Sequence, residues 1–369
     1  MKKFFSVVLV FVLTLSMLFL TGCSTSNDTV KDLKGEYTQE LAGTTLNVFN
    51  WGEYISDGSE GSLDVIAAFE KLTGINVNYS MFDSNETMYA KLKSGAVSYD
   101  IIIPSDYMIE RLVNEGRLAE IDYSKLSNYS NIDKAYTKMY FDPEEKYTVP
   151  FSIGMVGLIY NTTVVTEKPD SWGVMWDKKY KDQILTFNNS RDAFAIAQLY
   201  LGIDLNTKDK AEWDAAANKL KEQNKILQGR VMDEVFNKME SGSAAIAPYY
   251  AGDYLTMAEE NEDLAFVYPK EGVNEFVDSI CVPKDCGNYD AAMMFINFLL
   301  EPEVAKANAE YICYATPNMA VRDDPDYLFY QNEILYPAEK DRPRTEYFHD
   351  MDKDTRAYFE SLWEEVLQS

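Results

Sequence analysis

The chain has 369 residues, 46% of them hydrophobic, enough for two α/β domains with large cores. Acidic residues outnumber basic ones by 60 to 34, and the formal net charge is −26. Such a charge repels nucleic acid and anionic lipid and attracts small cations, so the balance leans away from a polyanionic partner and toward a cationic ligand.

Lys2 and Lys3 precede an apolar run from Phe4 to Leu20, too short and wrongly flanked for a membrane span. The run ends in Leu20-Thr-Gly-Cys23, which resembles a bacterial lipobox and implies cleavage before Cys23 and lipid on its sulfur. An ordinary signal peptide with a nearby Cys is the alternative. Residues 23–43 are polar and lack periodicity, the composition of a tether. Beyond Cys23 stand Cys281, Cys286 and Cys313, with no CxxC pair, so neither a zinc knuckle nor a redox motif is indicated. One disulfide with a free thiol, or three inert thiols, fits that count.

Thr45 to Phe49 reads as a strand opening into Asn50-Trp51-Gly52-Glu53-Tyr54. Ser62 is placed to cap a helix with Leu63, Ile66, Phe69 and Leu72 on one side and Gly74 at its end. Ile75, Val77, Tyr79 and Met81 alternate as a second strand. Asp83 and Glu86 have capping-box spacing for the next helix, which Gly95 closes. Asp100 to Ile103 is a continuous apolar strand stopped by Pro104, so Ser105, Asp106 and Tyr107 leave its carboxyl end. In open α/β sheets ligands bind at that edge. Met108 to Val113 forms a short helix before Gly116.

Tyr147 to Phe151 and Met155 to Tyr160 read as extended segments around Pro150 and Gly154, a crossing between domains. A second α/β series follows: a Trp-containing helix capped by Ser171, strand Gln183 to Phe187, helix Ser190 to Leu201, and a long helix from Thr207 to Lys225. Short strands are predicted at Ala244–Ala247, Leu264–Tyr268 and Asp278–Val282, then helices at Ala291–Leu300, from Pro302, and from Asp352 to Leu367.

Several strand ends pair an acid with an aromatic residue: Trp51, Glu53 and Tyr54; Ser105, Asp106 and Tyr107; Asp192 after Asn188-Asn189; Tyr249 and Tyr250; Phe276 and Asp278. Aromatic faces attract cations and cover methylenes, while carboxylates pair with ammonium donors. A pocket of this composition suits a slender, positively charged alkyl chain. Any one of these tyrosines taken alone is a core residue, since the chain has 26 of them, and Glu53 or Asp192 alone is a helix-start carboxylate. Their recurrence at strand ends carries the reading. Catalysis has little support. His349 is the single His, so a Ser-His-Asp triad or a His-rich metal site lacks parts, and there is no P-loop or post-strand GxGxxG. No spacing points to a carboxylate-pair hydrolase. No metal and no cofactor are expected.

The strings NWGEY, FDSNETMYAKL, YDIIIPSDY, YPKEG followed by DSICVP, INFLLEPEVA and AEYICYATPN closely resemble the spermidine/putrescine-binding lipoproteins of bacterial polyamine ABC importers, from about residue 45 to residue 320. The resemblance implies an α/β, two-lobed, periplasmic-binding-protein-like fold of type II, whose discontinuous lobes are joined by a hinge. On this reading residues 44–150 and 277–322 form the first lobe, and residues 151–276 and 323–369 the second. It makes Trp51, Glu53, Tyr54, Ser105 and Tyr107 first-lobe ligand contacts. Asp192 occupies a family Glu position, Tyr249 and Phe276 stand where the family has Trp, Asp278 matches the amine-pairing Asp, and Tyr314 an aromatic contact. Gly52 replaces a Thr of some members, and Asn188-Asn189 stand where an acid often lies, which leaves the number of bound ammonium groups open. The implied protein is a monomeric, non-catalytic lipoprotein outside the cytoplasm, anchored through Cys23. It passes polyamine to the permease subunits of an ABC transporter. The alternatives are a binding protein for another small cation and, after it, a hydrolase.

Overall fold

β1 (Thr45–Trp51) alternates its side chains strictly: Leu46 and Val48 enter one core cluster, Phe49 and Trp51 another on the opposite face. The computed structural model describes residues 33, 35 and 37–369, so Cys23 and the apolar N-terminal run lie outside the described residues. After β1 come α1 (Val65–Thr73), β2 (Asn76–Phe82), α2 (Asn85–Ser94), β3 (Ile101–Ile102) and α3 (Asp106–Asn114). β4 (Thr148–Asn161) then leads into β5 (Ile184–Phe187), α4 (Ser190–Leu201), α5 (Lys210–Gln223), β6 (Leu227–Val231), α6 (Glu234–Glu240), β7 (Ile246–Tyr250), α7 (Ala251–Glu260) and β8 (Leu264–Val267). β9 (Val273–Cys281), α8 (Tyr289–Leu299), α9 (Pro302–Ile312), α10 (Met319–Arg322), β10 (Thr345–Glu346) and α11 (Lys353–Leu367) complete the chain.

The strand order is β2-β1-β3-β9-β4-β7-β5-β6, with β10 beside β9 and β8 beside β4. β2, β1 and β3 are parallel, and β9 enters antiparallel between β3 and β4. The first half of β4 pairs with β9, and its second half with β7 and β8. One strand thus serves two bodies. The first body packs α1, α8 and α9 on one face of its sheet and α2 and α3 on the other. The second gathers α4, α5 and α11 around β5 and β7. The two segments expected around Pro150 and Gly154 are this single strand, bulged between Pro150 and Ser152.

Four local readings change. Asp64, not Ser62, caps α1, its carboxylate accepting from the Ala67 N–H at 2.9 Å. Ser84, not Asp83, caps α2; Thr87 closes the box, and Asp83 accepts from the Thr87 hydroxyl instead. β3 is shorter than predicted because the Asp100 carboxylate leaves the strand to take the N–H groups of Asn47, Gly287 and Asn288, tying β1 to the start of α8. Part of the stretch expected to be a tether is docked: Tyr37 packs on Phe298 and hydrogen-bonds Glu301, which also accepts from the Gly35 N–H. Cys281, Cys286 and Cys313 are free thiols, so of the two cysteine readings the one without a disulfide holds. No helix of the described residues is long and apolar enough to cross a membrane.

Candidate functional site

Asp278 sits in the middle of β9 rather than at its start, where the sequence reading put it. Its backbone lies between Ser152 of β4 and Ser105, and the residue is 3% exposed. The Tyr54 hydroxyl donates to Oδ2 at 2.6 Å, while Oδ1 is fully buried without a hydrogen-bond partner. Ser152 Oγ and Trp51 Nε1 are likewise buried and unpartnered. Such atoms are rare in native structures because each costs about 1–3 kcal/mol, so a group of them calls for a function.

The turn after β1 delivers Trp51 and Tyr54 to this place. Asn50 holds it, accepting from the Trp51 N–H and donating to the Tyr54 carbonyl, and Glu53 takes a left-handed φ of 51° to make it tight. Glu53 itself stays exposed at the rim. Trp51 is half-buried with its ring 4.5 Å from that of Phe82.

Around Asp278 the rings of Tyr54, Phe276 and Tyr314 form a buried cluster bordered by Trp51, Phe151, Tyr250 and Ile312. Tyr314 stands edge-on to Tyr54 at 5.7 Å, and Tyr250 edge-on to Phe276 at 5.6 Å. Glycine is required beneath two of these rings. A Cβ at Gly154 would fall 2.1 Å from the Phe276 ring, and one at Gly252 2.0 Å from the Tyr314 ring.

Two further carboxylates reach the cluster, each through a phenol. Tyr250 donates to Asp192 at 2.7 Å and Tyr314 to Asp253 at 3.0 Å. Burial, the largest cause in each case, pushes Asp278 and Asp192 up to about 6 and Asp253 up to about 7; Asp233 and Glu53 add repulsion at Asp253. Among the described residues none of the three pairs with a Lys or Arg within ion-pair distance. Three acid–phenol pairs around an aromatic box can hold ammonium groups and cover the methylenes between them.

The structure brings together Trp51, Tyr54, Ser105, Asp192, Phe276, Asp278 and Tyr314 of the residues singled out from sequence. Tyr249 is 2% exposed, stacked on Phe187 in the second core and 5.0 Å from the ring of Tyr250, and it is Tyr250 that borders the box. Tyr107 is turned toward Glu86, donating at 3.0 Å, and toward Phe348. Asp253 and Ser152 were not singled out. Asp253 was findable in principle, since it stands in the first turn of a helix that starts directly after β7.

Frame and box together define a two-lobed, type II solute-binding protein. The chain belongs to the bacterial extracellular solute-binding protein family, whose model matches residues 64–337. It is 34% identical over 326 residues to the spermidine/putrescine-binding periplasmic protein of Salmonella typhimurium, covering 87% of this chain and 91% of that one. A spermidine/putrescine ABC transporter structure from Listeria monocytogenes superposes with a TM-score of 0.82 at 36% identity, covering 88% of this chain and 99% of the other. A lipoprotein of Treponema pallidum does so with a TM-score of 0.76 at 26% identity, covering 87% and 99%.

Proposed function

We propose that this protein captures a polyamine between its lobes and delivers it to an ABC importer, without turning it over. The observation that carries the reading is a set of three carboxylates around one aromatic box, Asp278 and Asp192 buried and Asp253 half-buried, unpaired with any Lys or Arg among the described residues. The names of relatives at 34–36% identity support it. The lobes would comprise residues 44–150 with 277–322 and residues 151–276 with 323–369, consistent with two core bodies joined through β4 and β9. Ligand contacts would come from Trp51, Glu53, Tyr54, Ser105, Tyr107, Asp192, Tyr249, Phe276, Asp278 and Tyr314, with Tyr250 as a further aromatic wall.

A thermal-shift screen with putrescine, spermidine, spermine, arginine and sugars tests this. A ligand of the native state at a hundredfold its dissociation constant adds about 2.7 kcal/mol, so polyamines should raise the melting temperature and sugars should not. Stabilisation by arginine alone would shift the reading to another cationic solute.

Trp51→Leu is expected to weaken polyamine binding about tenfold with little loss of stability, because a desolvated cation–π and alkyl contact contributes roughly 1–2 kcal/mol. An unchanged dissociation constant would make Trp51 a packing residue. The protein would act as a monomer outside the cytoplasm, anchored by lipid on Cys23. Cys23→Ala should then release it from the membrane fraction, since one acyl-bearing Cys is the anchor and the acidic surface offers no other membrane affinity. Retention of the variant in membranes would exclude that anchor.

A further inference from the structure

We infer that residues 346–350 form a latch that holds the two lobes closed, with Glu110 and Tyr140 as its catch; this rests on the reading of the protein as a closing, two-lobed binder. The segment is strapped to the second body. Asn206 donates to the Tyr347 carbonyl at 2.8 Å and accepts from the His349 N–H at 2.7 Å, Leu205 N–H donates to the Glu346 carboxylate, and Phe348 is buried in the second core.

The first body then grips the same few residues. Glu110 of α3 accepts from the Asp350 N–H at 2.7 Å and lies 3.3 Å from His349 Nδ1. The Tyr140 hydroxyl donates to the Phe348 carbonyl, and the Tyr140 ring lies 4.1 Å from the His349 ring. Arg191 of α4 locks the corner from the second body. It sits over the Phe348 ring at 4.4 Å and the Tyr107 ring of the first body at 5.2 Å, and donates to the His349 carbonyl.

Neither Glu110 nor Tyr140 belongs to the aromatic box or pairs with its carboxylates. They act on the equilibrium between open and closed lobes, so they scale the affinity of every ligand by the same factor. Both are positioning residues. A polar contact to a charged acceptor is stronger than one between neutral groups, so Glu110 carries the larger share.

Glu110→Gln and Tyr140→Phe, measured by stopped-flow release of putrescine and of spermidine and by small-angle scattering of the ligand-free protein, test the latch. Release should quicken about tenfold in Glu110→Gln and about fivefold in Tyr140→Phe. The ratio of the two ligands' affinities should stay constant, and the ligand-free radius of gyration should rise. Unchanged release with unchanged scattering, or a changed ligand ratio, overturns the proposal. Should wild-type protein bind neither polyamine, the polyamine reading fails while the scattering still decides the latch.

Discussion

Asp278→Asn is expected to lower polyamine affinity by roughly two to three orders of magnitude while leaving the fold intact. The substitution keeps the shape and removes only the charge. Tyr54 can still donate to one oxygen, but the group replacing the unpartnered Oδ1 can no longer take an ammonium proton as an ion. The residue is 3% exposed, so water cannot stand in. Removing one partner of a desolvated ion pair costs about 3–5 kcal/mol, against about 0–1 kcal/mol for a surface pair. Calorimetric titration separates the two cases, and a loss of less than about fivefold would make Asp278 a structural acid of β9. Asp192→Asn should weaken binding by a smaller factor.

Acidification should also act strongly, and in opposite senses on binding and on the free protein. Burial holds the Asp278 and Asp192 carboxyls at about 6, above the ordinary aspartate value. The ammonium groups bind the ionised form, so each site loses about tenfold per pH unit below that value, and affinity should fall roughly a hundredfold between about pH 7.5 and pH 5. For the ligand-free protein the sign reverses. The folded state holds these protons more tightly than the unfolded chain, so their contribution to stability is present at low pH and is lost as pH rises through about 6. Ligand-induced stabilisation should therefore grow from pH 5 to 7.5 while the contribution of these groups to the bare protein shrinks. Titrations across that range decide it: a pH-independent dissociation constant would show that these carboxylates do not hold the ligand.

Much of the frame is legible in the sequence because apolar periodicity and glycine stops are local signals. Helix Ser190–Leu201 and its stop at Gly202 are found where the pattern puts them. The elements that escape lack such signals. β6 reads LQGRV, with a glycine and two long polar side chains, and α7 starts straight from β7 without a side-chain cap. The caps at Asp64 and Ser84 escape for another reason: the neighbouring Ser62 and Asp83 are equally good acceptors, and only tertiary geometry selects between them. Within the site, acids next to aromatics mark the right strand ends, but not which of two adjacent tyrosines turns inward. Tyr249 and Tyr250 have the same chemistry and both rings lie against Phe187, but only the Tyr250 hydroxyl reaches Asp192.

The placement of β9 between β3 and β4 has a consequence for the order in which the chain can mature. The first body needs β1 from residue 45 and β9 up to residue 281, and Asp100 must meet the N–H groups of Gly287 and Asn288. Until that late stretch has emerged from the ribosome, β3 keeps a raw hydrogen-bonding edge and the sheet stays incomplete. Contacts so distant along the chain close slowly, because the loop entropy must be met before the pairing rewards it. The second body waits longer still, because Phe359, Leu362 and Val366 of α11 complete its core. Such delay suits a polypeptide that crosses a membrane as a thread, since its leading half remains pliable until its trailing half arrives.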